Sequence, residues 1–140
     1  MHAKSKTLAT WLALLLGSLG AHRFYLKGWR DLAGWLHPLP TLLGIAGALR
    51  MYNLGVDDHA AWLLIPLLGL TLSAGMLAAI VIGLTPDDRW AERYRQPLRA
   101  TRWGAVLGVV AALMVGAVVL IGTVAFGGEK FFEYQKQSAR

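Results

Sequence analysis

The chain contains no cysteine, and only 16% of its 140 residues are charged. The first absence excludes disulfides, thiolate nucleophiles and zinc–thiolate sites, and leaves the redox compartment unreadable. The second falls well short of the roughly one quarter charged residues usual in soluble domains. Catalytic groupings are also scarce. His2, His22, His37 and His59 occur singly, without the three- or four-residue spacing of metal-binding pairs on a helix. Ser18 does not sit in a nucleophile elbow, and the neighbouring carboxylates Asp57 and Asp58 need not converge. Gly17-Ser18-Leu19-Gly20 lacks the lysine–hydroxyl pair of a phosphate-binding loop. Neither a metal, a cofactor nor a small-molecule substrate is expected, and no reaction is indicated.

What the chain has is apolar length. Apolar residues make up 56% of it and fall into four stretches: Leu8 to Ala21, Leu32 to Leu49, Ala60 to Leu84 and Gly104 to Phe126. A helix of ~20 residues crosses the ~30 Å hydrocarbon layer, so the third and fourth stretches span comfortably. The first reaches that length only if its helix continues through His22 and Arg23 to Leu26, which leaves Arg23 at a boundary where it can snorkel. The second carries His37, Pro38 and Pro40 and should be kinked or open on an irregular turn. Lys4 and Lys6 before a short apolar core suggest a signal peptide, but Leu19-Gly20-Ala21 is a poor cleavage site and three more apolar segments follow. The expected fold is therefore all-α and integral to the membrane. It has four spans: a hairpin over 1–58 with a kinked second helix, and a second helix pair over 59–126. An amphipathic connector occupies 85–97, and a polar tail follows over 127–140, with Gly127-Gly128 breaking the last helix. No internal repeat is expected, because the first and third spans share nothing beyond hydrophobicity.

If four spans alternate, the first and third loops share one side and carry eight basic residues, against six on the other. The positive-inside rule then turns both termini outward and places the two loops in the cytoplasm. The net charge of +6 fits an anionic membrane surface, and no separate basic domain exists to hold nucleic acid. In the third loop, Thr85-Pro86-Asp87-Asp88 should start a short helix, and Pro97 should end it. There Trp90 and Tyr94 fall on one face, beside Arg89 and Arg93, as in a helix lying among lipid headgroups, with partner docking as the alternative. Trp29, Trp35, Trp62, Trp90 and Trp103 lie near apolar edges, as interfacial anchors do. Small residues recur every four positions as Thr71, Gly75, Ala79 and Gly83, and again as Gly104, Gly108, Ala112 and Gly116. Such faces let helix backbones approach closely, with each other or with another copy.

One stretch is specific beyond composition. Lys4-Ser5-Lys6, an apolar helix, Gly17-x-x-Gly20-x-His22-Arg23-Phe24-Tyr25-Leu26 and then Lys27-Gly28 resembles the TM2 domain, two membrane helices joined by a short loop. The likeness continues through Pro40-x-x-x-Gly44 and covers roughly residues 4 to 55. It implies an integral membrane protein, most like bacterial members and so of the cytoplasmic (inner) membrane, without implying a reaction. Lys27 stands where the family usually has glycine. The acidic residue many relatives carry late in the second helix is absent from Gly44-Ile45-Ala46-Gly47-Ala48, so Arg23 needs another partner. An interfacial guanidinium can cap helix-end carbonyls, bind lipid phosphate or pair with a partner's carboxylate, and the first two are expected. Phe24 and Tyr25 then wedge at the interface, and Gly17 and Gly20 admit a neighbouring helix. The leading functional expectation is a non-enzymatic accessory subunit or adaptor that acts by helix association with other membrane subunits or itself, in contact with lipids. A small oligomeric pore or transporter lined by His37, Pro38 and Pro40 is the alternative. A lipid-modifying enzyme using Arg23 to position a phosphate is a more remote one.

Overall fold

A computed structural model describes residues 3–139; His2 and Arg140, which entered the histidine and charge readings, lie outside them. The described residues form seven α-helices: α1 (Lys6–Leu16), α2 (Ala21–Lys27), α3 (Leu32–Leu36), α4 (Pro38–Leu54), α5 (His59–Leu84), α6 (Asp87–Arg93) and α7 (Trp103–Ser138). Three helical segments are long and apolar enough to cross a membrane: Leu32–Leu54, His59–Leu84 and Trp103–Ser138. The first apolar helix is shorter, Lys6–Leu19.

That first helix does not run on to Leu26. Ser5 caps its start, its hydroxyl accepting from Leu8 N at 3.3 Å, and a 3-10 turn over Gly17–Leu19 ends it. Gly20 then takes φ 76°, a left-handed conformation that side chains resist. The chain reverses there, and α2 returns along α1. Lys4 Nζ donates to Tyr25 O at 2.5 Å, and Ser5 N donates to the Tyr25 hydroxyl at 2.8 Å. The Gly17–Gly20 apex of this hairpin lies beside Gly75 of α5, nine residues from Leu84, or about 14 Å of helix rise. The second segment is interrupted where its prolines require. His37 separates α3 from α4, Pro38 occupies the first turn of α4, and His37 Nδ1 bonds the Ala33 carbonyl at 2.6 Å.

The central α5 holds α1 and α4 end to end along its length. Gly75 and Gly83 in its second half meet Gly17 of the 3-10 turn and Thr10 of α1, while Leu64 and Leu68 in its first half meet Gly47 and Gly44 of α4. α7 runs antiparallel to α5, with Gly116 against Met76 and Thr123 against Gly69. α1 also lies on α7, where Trp11 Nε1 donates to Gly104 O at 3.0 Å and Gly108 meets Thr10. The small-residue faces are thus used inside the chain. A Cβ on Gly17 would come within 2.5 Å of Gly75 Cα, so this crossing requires glycine. Ala13, Leu14, Met76, Ala79 and Ala112 form the buried cluster where α1, α5 and α7 meet. Packing therefore runs across the 58/59 boundary instead of separating two helix pairs.

Two further expectations change. α7 continues through Gly127-Gly128 to Ser138. Two glycines cost about 1 kcal/mol each relative to alanine, too little to end a helix whose backbone bonds remain intact. α6 stops at Arg93 rather than at Pro97, because Arg95 turns to φ 47°. The ends of the bundle also differ from a four-span alternation. Lys6 Nζ donates to Thr85 O at 2.7 Å and Thr101 Oγ1 at 2.6 Å, which puts the N-terminal segment at the end that carries α6 and the 94–102 loop. His59 bonds Gln137 at 3.1 Å, so the other end holds the α4–α5 loop and the end of α7. The termini lie at opposite ends, because the first hairpin enters and leaves from the same one.

Candidate functional site

The α2–α3 corner gathers the motif residues. Arg23 meets Asp31 in two parallel bonds, Nε to Oδ2 at 2.6 Å and Nη2 to Oδ1 at 3.3 Å. Asp31 also caps α3, accepting from Gly34 N at 3.1 Å. The bonded guanidinium holds the Asp31 carboxyl below the usual carboxylate range. Arg23 therefore neither caps carbonyls nor waits for an external carboxylate; its partner lies eight residues on, just beyond the loop. Phe24 stacks on Trp29 and meets Trp35 edge-on, each at 5.1 Å, and a Cβ on Gly34 would strike its ring. Trp29 and Trp35 are exposed, as anchors should be. His22 is only 5% exposed, lies 5.8 Å from the His37 ring and leaves its Nδ1 without a hydrogen-bond partner. Thr41 Oγ1 ties the same apex together by donating to Ser18 O at 2.7 Å.

The α4–α5 corner repeats this construction, which overturns the expectation of no internal repeat. Arg50 meets Asp58 through Nε at 2.8 Å and Nη2 at 3.0 Å, and the Asp58 carboxyl is lowered by the same cause. Gly28 (φ 87°) and Gly55 (φ 97°) sit three residues before each aspartate and close the preceding helix. Trp35 Nε1 donates to Trp29 O at 2.9 Å, and Trp62 Nε1 to Val56 O at 2.7 Å, each carbonyl being the residue after the glycine. Aligning Gly17–Leu36 with Gly44–Leu63 pairs identical residues at ten of twenty positions: Gly17/Gly44, Gly20/Gly47, Ala21/Ala48, Arg23/Arg50, Tyr25/Tyr52, Gly28/Gly55, Asp31/Asp58, Ala33/Ala60, Trp35/Trp62 and Leu36/Leu63. The repeat straddles loops, so a comparison of whole spans passes over it.

At the N-terminal end a polar tether joins Lys4 to Lys6 with the third loop. Lys6 is buried and pairs with Asp87, which also accepts from the Thr101 hydroxyl and, at 2.9 Å, from Thr101 N. Lys6 and Thr101 together pull the Asp87 carboxyl down to about 2. Trp90 is 5% exposed and donates from Nε1 to Lys4 O at 3.0 Å, so it belongs to this tether and not to a lipid-facing surface. Tyr94 packs on it at 4.6 Å, while Arg89 and Arg93 remain exposed. Sequence reasoning missed Asp31 and Thr101, and the cationic partners of Asp58 and Asp87. The signal for Asp31 and for the partner of Asp58 was the repeated Arg-x4-Gly-x2-Asp spacing. Of the packing residues named from sequence, Ala79, Ala112, Gly75, Gly83 and Gly108 are buried.

Residues 2–54 match the family model of the TM2 domain. Neither a curated protein nor a solved structure matches the chain. The three long apolar helices together with this match mark an integral membrane protein. The Lys4–Lys6 segment, the Gly17–Gly20 apex and the Arg23–Asp31 corner all fall inside the matched residues, and the chain thus carries a TM2 domain over residues 2–54.

Proposed function

We propose that this protein is a non-enzymatic membrane subunit or adaptor that acts by helix association, and that α5 supplies the contact. Leu63, Leu70, Leu77 and Leu84 recur every seven residues along α5 and are all exposed, with Ala74 and Val81 exposed at the intervening positions. A seam repeating every 3.5 residues is the pattern by which one helix packs into another, and α5 is already the helix on which this chain assembles itself. A second copy is the first occupant to test. Single cysteines at Leu70 and Leu77 are expected to crosslink between copies in native membranes, whereas one at Leu42 on α4 is not. A strictly monomeric protein, with nothing retained after crosslinking at these positions, overturns the reading.

The orientation belongs to the same proposal. The end with the N-terminal segment carries ten basic residues: Lys4, Lys6, Arg23, Lys27, Arg30, Arg89, Arg93, Arg95, Arg99 and Arg102. The opposite end has three among the described residues: Arg50, Lys130 and Lys136. By the positive-inside rule the N-terminal end faces the cytoplasm, three segments cross, and the first hairpin enters only halfway. The chain carries no cysteine of its own, so cysteines placed singly at positions 3, 27 and 92 should be shielded from an impermeant maleimide in intact cells, and one at 57 should react. Labelling at 3 but not at 27 restores a fourth crossing.

A small transporter is the second reading, favoured by the apex. There the buried, unpartnered His22 Nδ1 faces a helix interruption at His37 beside mid-α5. Interrupted helices at mid-depth are where transporters hold ions. Proton flux in vesicles that vanishes in His22→Leu would support it, and absence of flux removes it.

A further inference from the structure

We infer that the cleft between the N-terminal segment and the third loop is a binding site for the phosphate of an anionic phospholipid. It encloses about 510 Å³. Lys4, Lys6, Arg99 and Arg102 line it against a single carboxylate, Asp87. That carboxylate is already taken by Lys6 and Thr101. Lys4, Arg99 and Arg102 have no acidic partner among the described residues. Lys4 is instead spent on neutral groups, the Tyr25 carbonyl and ring, and lies 4.8 Å from that ring's centre. Three cations therefore face the cleft with their charge uncompensated, and two are guanidiniums able to grip a phosphate in parallel bonds.

The other wall identifies the phosphate as a lipid's. Leu8 and Trp11 of α1 line the same cleft. Leu8 is exposed, as is Trp103 immediately after Arg102. A charged mouth above an apolar strip at the start of two membrane helices fits a headgroup with acyl chains descending beside it. A free phosphate ion would use the mouth alone. This inference is independent of the association reading, since the α5 seam is not part of the cleft.

The test is native mass spectrometry of the full chain in detergent with dioleoyl phosphatidylglycerol or dioleoyl phosphatidylcholine. Phosphatidylglycerol should be retained preferentially. In the double variant Arg99→Gln/Arg102→Gln its apparent affinity should fall about twenty-five-fold, at a factor of about five per charge. Arg99→Lys/Arg102→Lys should keep most of it, and Arg89→Gln/Arg93→Gln, which removes the charges on α6, should change it little. Equal retention of both lipids, unchanged binding in the Arg99→Gln/Arg102→Gln protein, or an equal loss in the α6 variant overturns the inference. Displacement of the lipid by millimolar inorganic phosphate overturns the lipid assignment in favour of a free-phosphate site.

Discussion

The corners at Arg23–Asp31 and Arg50–Asp58 share their arginine, glycine, aspartate and tryptophan, yet stand at opposite ends of the bundle. The shared residues are those that bend a helix hairpin: a glycine at positive φ to close one helix, a bonded aspartate to open the next, and an indole to hold the loop carbonyl. The differing residues carry the location. From arginine to aspartate, the first corner holds Arg23, Lys27, Arg30 and Asp31, net +2; the second holds Arg50, Asp57 and Asp58, net −1. The first corner thus carries three basic residues to the second's one, and the same turn has opposite net sign at the two ends of the bundle. The arginine of the first corner is the less exposed, 25% for Arg23 against 46% for Arg50, whereas the tryptophan of the second is the buried one.

The two copies should differ most at their second glycines, Gly20 and Gly47. Gly20→Ala must place a Cβ at positive φ and within 2.5 Å of the Gly34 carbonyl. A loss of about 3 kcal/mol or more is expected, read as the thermal unfolding midpoint in detergent. Gly47→Ala, at ordinary helical φ but against Leu64 Cβ, should cost about 1 to 3 kcal/mol. At Gly28 and Gly55 a Cβ meets nothing within 4 Å, so alanine there should cost only the strain of a backbone region that side chains resist, about 1 to 3 kcal/mol, equally in both corners. Unequal costs at this pair would show that the two turns are not equivalent.

Removal of the carboxylates sharpens the contrast. Asp31→Asn should lower the unfolding midpoint more than Asp58→Asn, since Asp31 also caps α3 and its arginine is less exposed. The pH profile should follow from the same groups. Asp31, Asp58 and Asp87 all have folded values below 3.8, so the stability they contribute is present above that value and lost as pH falls through the folded ones. Stability should decline progressively between pH 3.8 and about 2, the range set by Asp87, and Asp87→Asn should flatten the lower part of that fall. The smallest effect is expected at the indoles. Trp35→Phe removes one bond from an exposed ring, at about 0.5 to 1 kcal/mol, and Trp62→Phe, buried at the other corner, should cost more.

The sequence made the membrane class, the break at His37–Pro38 and the close-approach glycines readable, because hydrophobic length, proline and small-residue spacing act locally. It concealed the reversal at Gly20. An apolar run followed by His22-Arg23-Phe24 reads equally as a helix that continues and as one that turns back, and Lys4 and Ser5 decide between them by bonding Tyr25 across twenty residues. Arg23 is recognisable as a residue needing an anion, but the aspartate that meets it lies across the loop, where helix periodicity gives no pointer to it. Trp90 looked like an interfacial anchor because it sits at an apolar edge; only the approach of Lys4 buries it.

The shortness of α1 sets an order of events in time. Lys6–Leu19 lacks the length to remain in a bilayer alone, and the groove that receives it is made by α5 and α7. Leu84 leaves the ribosome 65 residues after Leu19, which is roughly 3 to 13 seconds at about 5 to 20 residues per second. For those seconds the first helix of the domain has no seat, and the last helix must arrive before it has a complete one.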